Sequence, residues 1–172
     1  MRHLLISAIV AAGTQFALVV PVHSQVTAAG IAGFQGTWTL DLERSGGTSP
    51  ERRIVSADAE SMRIETHRAE DARPPVLLYR FDGSDKLNAF GDNTATTRLR
   101  REGSDLVLET VYLVNEQAVT VDETWRLDEN GREMIVDVMM RIEHGYHGVP
   151  PPFVKSPPNI SKVTNVFRKE PN

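Results

Sequence analysis

A few charged and aromatic side chains that alternate with apolar ones are the first candidates for chemistry. Glu123 shares its alternation with Val121 and Trp125, so it falls on the apolar side of its segment. A carboxylate in that position needs a partner or a proton. Arg101, in line with Leu99 on a neighbouring segment, is the candidate partner. Such a pair would be either an internal salt bridge or the anchor of a ligand.

Aromatic residues fall on the same inward rows as Glu123. An apolar and aromatic space with a few convergent polar groups is what a small-molecule site requires. The alternative is that these side chains simply fill the interior, because a small barrel has just enough room for its own residues. The candidate ligand-contacting residues from these rows are Tyr79, Arg101, Tyr112, Glu123 and Trp125.

Two histidines, His144 and His147, flank the dipeptide Gly145-Tyr146. With Glu143 beside them they are weak candidates for holding a divalent cation, and a histidine can also bind a haem iron. A three-residue spacing in a loop fixes no ligand geometry. Solvated histidines are therefore the default interpretation, and we assign no metal site and no cofactor.

The sequence contains no nucleophile elbow, no phosphate-binding glycine loop and no zinc-protease signature. It also has no cysteine, which excludes thiolate zinc sites and cysteine nucleophiles. An enzyme is thus the least favoured class, and would need an open polar pocket around Glu123 and Arg101. The formal net charge of −4 argues against nucleic acid or an anionic membrane as a partner.

The elements that must position these residues are strands. Residues 34–42 alternate between apolar and polar side chains, with Trp38 on the apolar side, and most later segments repeat this two-residue period. No long segment has the spacing of an amphipathic helix. The pattern predicts an all-β fold, an antiparallel up-and-down barrel of eight or nine strands, in which residues 85–93 form a long connection.

The first residues are typical of a secretory signal. A short basic start is followed by an apolar run, and small residues precede a predicted cut after Ser24. A retained membrane anchor is the alternative. We expect residues 1–24 to be a signal peptide, residues 25–33 a flexible leader and residues 34–172 the barrel domain. This organisation predicts a periplasmic or secreted protein with no membrane insertion after cleavage.

The tripeptide Gly36-Thr37-Trp38 resembles the glycine-any-tryptophan signature of lipocalins and avidin-like barrels, which belong to the calycin superfamily. Residues 36–42 are also similar to the opening of secreted bacterial proteins described as lipocalin-like. The resemblance implies that Gly36, Trp38 and Arg168 close one end of the barrel, with the cation over the indole face. The C-terminal helix that lipocalins pack on the barrel has no counterpart in this sequence.

Two functions are consistent with this sequence. The first is an exported protein that binds a small, mainly apolar ligand inside the barrel. The second is a filled barrel that serves as a structural or protein-interaction module of the cell envelope. Residues 145–158 are rich in proline and carry Phe153, so they are interpreted either as a semi-rigid lid with Phe153 pointing inward or as a strap over the barrel wall.

Overall fold

Ten β-strands form a single sheet in the computed structural model, which describes residues 26–142 and 158–171. Every pair of neighbours is antiparallel, and the order is β4-β3-β2-β1-β10-β9-β8-β7-β6-β5. The pairing of β1 with β10 makes the sheet a nearly closed barrel whose two edge strands, β4 and β5, face each other. The strands are β1 (Gly36–Leu40), β2 (Glu51–Ala57), β3 (Ser61–Arg68), β4 (Val76–Arg80), β5 (Lys86–Phe90), β6 (Asn93–Glu102), β7 (Asp105–Val114), β8 (Gln117–Leu127), β9 (Glu133–Ile142) and β10 (Asn159–Lys169).

The antiparallel barrel is confirmed, but the predicted strand number of eight or nine is wrong. The additional strand is β5, which lies within the segment that was predicted to be a connection. Its alternation is inverted, because Leu87 is 65% exposed whereas Asn88 is only 8% exposed. A rule that looks for apolar residues on the buried side therefore overlooks this strand.

Side chains join β4 to β5 where no backbone ladder does. The Asn88 amide oxygen accepts a hydrogen bond from the Leu78 backbone N–H at 2.9 Å, and the amide nitrogen donates to the Leu78 carbonyl at 3.2 Å. The same amide nitrogen donates to the Thr97 hydroxyl at 2.9 Å. Asn88 thus imitates a strand partner and satisfies backbone groups that the missing ladder would leave unpaired.

The two ends of the barrel differ. The turns β2–β3, β4–β5, β6–β7 and β8–β9 lie at one end, together with the chain that precedes β1. This plugged end is filled by a 3₁₀ helix, Ala29–Phe34, in which Ile31 is fully buried and Phe34 is 4% exposed. The opposite end, which carries the β3–β4 and β7–β8 connections, is called the cavity end.

Residues 26–33 do not form the flexible leader that was predicted for residues 25–33. Val26 is 4% exposed, and the 3₁₀ helix places Ile31 in the core. The helix has six residues, about two 3₁₀ turns, so its few apolar residues produce no periodicity that could be recognised in the sequence. The helix closes the plugged end of the barrel.

The packed core occupies the plugged end and the middle of the barrel. Its largest fully buried side chains include Trp38, Trp125, Phe167 and Met62, contributed by strands from around the whole barrel. Within residues 26–142 and 158–171, no helix is long and apolar enough to cross a membrane. The interior towards the cavity end is less completely filled.

Candidate functional site

A cavity of about 160 Å³ lies inside the barrel towards the cavity end. Seven of its twelve lining residues are apolar or aromatic, and the other five are charged or carry a hydroxyl group. Typical small-molecule sites start at about 300 Å³, so the space suits only a small ligand. The lining residues are Arg53, Ile64, Thr66, Arg68, Pro75, Leu77, Tyr79, Phe90, Thr110, Tyr112, Val121 and Glu123.

Tyr79 lies at the inner side of the cavity. It is 3% exposed, and its hydroxyl shares a 2.7 Å hydrogen bond with the Thr110 hydroxyl. Burial raises the pKa of the Tyr79 hydroxyl well above its usual value, and the nearby charge of Glu123 raises the pKa further. Tyr79 therefore stays neutral and presents a hydroxyl, not a phenolate, to the cavity.

Arg53 is the central charged group. It shares the inward side of β2 with Val55, and it is only 5% exposed. Two guanidinium nitrogens donate to the two carboxylate oxygens of Glu123, at 2.7 and 3.1 Å, and Nε donates to Glu51 Oε1 at 2.6 Å. This two-pronged geometry is the one in which arginine binds a carboxylate most strongly.

The guanidinium also rests on the aromatic core. Its central carbon lies 4.8 Å from the ring centroid of Phe167 and 5.4 Å from that of Trp125. The Trp125 indole N–H donates to Glu123 Oε2 at 2.7 Å. The cation is thus held by π faces on one side and by carboxylates on the other, which fixes its position.

A second carboxylate, Glu51, links Arg53 to Arg68, whose Nε donates to Glu51 Oε2 at 2.8 Å. Burial alone would raise the pKa of Glu51, but the attraction and hydrogen bonds of Arg53 and Arg68 outweigh burial, so its pKa is lowered. Burial likewise opposes the charge of Arg53, and Glu123 and Glu51 overcome it, so the pKa of Arg53 is raised. Glu51, Arg53, Arg68 and Glu123 form a charge cluster with two positive and two negative members.

The structure brings together four of the residues predicted to contact a ligand. Tyr79, Tyr112 and Glu123 line the cavity, and Trp125 lies beneath it, bonded to Glu123. Arg53 was not among the predicted residues, although its alternation with Val55 places it on the inward side of β2. That these residues contact a ligand stays a prediction.

The predicted partnership of Arg101 with Glu123 is wrong. Arg101 lies opposite Leu106 and level with Trp125, nearer the plugged end. There its Nε donates to the Gly103 carbonyl at 2.9 Å. The true partner of Glu123 is Arg53 on β2, a strand that does not neighbour β8 in the sheet.

The predicted closure by Arg168 is also wrong, by one residue. Register places Trp38 opposite Lys169, whose ammonium lies 5.0 Å from the indole centroid and donates to the Gly33 carbonyl at 3.0 Å. Arg168 points to the other face, with its side chain 63% exposed and 2.6 Å from Asp41. A shift of one position along a strand exchanges inside and outside.

The glycine of the signature has a structural role. Gly36 has φ +124°, a conformation that L side chains rarely adopt, and a Cβ atom there would lie 2.9 Å from the Lys169 side chain. The Trp38 indole N–H donates to the Phe34 carbonyl at 2.8 Å. Gly36 and Trp38 thus help to hold the 3₁₀ helix in the plugged end.

Three predicted residues, His144, His147 and Phe153, lie outside the described residues. The metal and lid interpretations of that segment therefore stay predictions. In the part of the chain that the structure describes, no group of three or more histidine, aspartate and glutamate residues is placed to hold a metal ion.

Neither a protein-family model nor a curated protein matches the sequence. Several solved structures do match the fold. A SAHS (abundant heat-soluble) protein of Ramazzottius varieornatus is 6% identical with a TM-score of 0.52, over 80% of this chain and 96% of that one. The fatty acid transporter REP1-NXSQ is 11% identical with a TM-score of 0.52, over 82% and 98%.

Lipid binding protein 8 of Caenorhabditis elegans, in its apo form, is 12% identical with a TM-score of 0.53, over 81% of this chain and 97% of that one. The likeness shows the fold. At identities this low, the likeness does not show which ligand this chain binds or which residues would contact it. The likeness supports the predicted antiparallel barrel, in the ten-stranded form described above and without a helix over residues 158–171.

Proposed function

We propose that this chain is an exported protein that binds one small, mainly apolar molecule inside its barrel. The observation that carries the proposal is the interior cavity, in which a few charged and hydroxyl groups lie among apolar and aromatic side chains. Neighbouring folds that are named as a fatty acid transporter and a lipid binding protein support the same class of function. Export is supported by the signal-like residues 1–24.

The walls favour apolar contacts. Ile64, Leu77 and Val121 contribute aliphatic surface, and the rings of Phe90 and Tyr112 pack with their centroids 4.9 Å apart. A molecule that fills this space would replace water against these side chains, which is favourable in proportion to the apolar area removed from water. The buried charge cluster supplies a polar edge that would orient it.

The cavity volume also favours the second candidate, a filled barrel whose outer surface is the working part. At about 160 Å³ the space is roughly half of the usual minimum for a ligand site. The enzyme alternative would need a polar, open pocket around Glu123 and Arg101, and Arg101 lies nearer the plugged end.

Native mass spectrometry of the protein purified from its own source tests the first candidate. We expect a bound small molecule, and we expect it to be lost from the variant Val121→Phe, which fills the cavity from β8. Val111→Phe is the matched control, because Val111 lies on the opposite side of the alternation from the cavity-lining Tyr112. Empty protein under all growth conditions, with no uptake of small apolar molecules, would favour the filled barrel.

A further inference from the structure

The charges around the cavity cancel. Among the described residues, the charged side chains that line the cavity are Arg53, Arg68 and Glu123. The Glu51 carboxylate accepts hydrogen bonds from both arginines. Two guanidinium groups therefore face two carboxylates. No net positive charge remains in this cluster to hold an anionic group.

Each nitrogen of the buried arginine, Arg53, already bonds to a carboxylate, which uses three of its five N–H groups. Both oxygens of Glu123 accept from Arg53, and Oε2 accepts in addition from the Trp125 indole. An incoming carboxylate would meet a cation that Glu51 and Glu123 already neutralise on both sides.

An anionic ligand that displaced Glu123 from Arg53 would still bind unfavourably. Among the described residues, Glu123 would keep only the Trp125 N–H as a donor, and its side chain is just 18% exposed. A carboxylate left without its cation in a poorly solvated place is strongly unfavourable. The exposed member, Arg68, already shares Glu51 with Arg53, so an anion placed beside it would be repelled by the same carboxylate.

A neutral polar group finds a better position. Tyr112 lines the cavity, and its hydroxyl has no hydrogen-bond partner among the described residues. Burial raises the pKa of this hydroxyl, so it remains a neutral donor and acceptor. A ligand hydroxyl or carbonyl could bond to it without disturbing the ion pairs.

We infer that the cavity selects an uncharged ligand, an apolar molecule with one hydroxyl or carbonyl group, over the carboxylate anion of the same chain length. The inference rests on the proposed function and narrows its ligand class. The carboxylate partners of Arg53 are what exclude the anion. Removing one of their charges should therefore relax the preference.

Isothermal titration calorimetry near neutral pH with 1-octanol and octanoate tests this selection on the wild-type protein. We expect the alcohol to bind at least about tenfold more tightly, because octanoate must place a charge beside a neutral cluster. Glu123→Gln should narrow the ratio by improving the binding of octanoate. Asp122→Asn is the matched control, since it removes the same charge from the next position on the outer face of β8 and should leave the ratio unchanged.

The outcomes separate the inference from the proposed function. If octanoate binds as tightly as 1-octanol, the selection is refuted while ligand binding stands. If neither molecule binds the wild-type protein, both are refuted. Binding that survives Val121→Phe would place the ligand elsewhere and overturn the assigned site. If Glu123→Gln fails to fold, the ratio of the affinities of the wild-type protein for 1-octanol and octanoate tests the selection by itself.

Discussion

Replacing Arg53 with methionine removes the positive centre of the charge cluster and keeps much of the side-chain volume. The methionine can still pack on Phe167 and Trp125, which the arginine contacts through its guanidinium. Glu51 keeps Arg68 as a partner, whereas Glu123 keeps only the Trp125 N–H among the described residues. The substitution therefore isolates one poorly solvated carboxylate, whose side chain is 18% exposed.

The expected cost is large, because breaking a buried ion pair from one side leaves an uncompensated charge. Such changes typically reduce the free energy of unfolding by about 3–5 kcal/mol. For a domain of this size, that corresponds to a fall in Tm of about 6–20 °C. The double variant Arg53→Met with Glu123→Leu should recover most of the loss, since an apolar pair can replace a buried ion pair with little change.

Urea unfolding followed by tryptophan fluorescence, together with thermal melting, measures both variants. Arg44→Met is the control, because Arg44 makes a similar two-pronged bond to Glu133 but its side chain is 47% exposed. An exposed ion pair of this kind contributes little to stability, so the Tm of Arg44→Met should stay close to that of the wild type. A single variant that melts within a few degrees of the wild type, or a double variant that recovers nothing, would refute the assignment of Arg53 as the buried centre.

Two further predictions concern barrel closure and pH. Asn88→Ala should lower the free energy of unfolding by about 1–3 kcal/mol and speed hydrogen exchange of the Leu78 amide, with exposed Asn93→Ala as the control. Because the pKa of Glu51 is lowered below 4.5 on folding, its contribution to stability is complete above that value and is lost as pH falls through the folded pKa. Urea unfolding from neutral to acidic pH should therefore show that Glu51→Gln is less stable than the wild type near neutrality and equally stable in acid. The control Glu102→Gln changes an exposed residue, so its stability should stay close to that of the wild type near neutrality.

Alternation alone predicted most of the barrel, and its failures have physical causes. β7 and β8 were predictable because their inward rows carry Leu106, Leu108 and Trp125. β5 was not, because its inward residue is Asn88, which is buried to complete a backbone-like hydrogen-bond network. A polar residue that replaces a missing strand partner has no signature in the sequence.

The site was predictable only in part for a related reason. Tyr79, Tyr112 and Glu123 follow from the parity of their own strands. The partner of Glu123 does not, because the pairing of Arg53 with Glu123 crosses the barrel interior between residues 70 positions apart. Parity says which side chains point inward, but only the closed barrel says which of them meet.

Arg53 ties the stability of this fold to its proposed binding. One face of the guanidinium lies on the packed core at Phe167 and Trp125, and the same group lines the cavity. The charge cluster is therefore the boundary at which the filled part of the barrel ends and the empty part begins. The carboxylates that neutralise Arg53 make this boundary stable without a ligand. For the same reason, no uncompensated charge remains there to bind a charged ligand. Ligand preference then follows from the requirement that a buried cation be compensated within the protein itself.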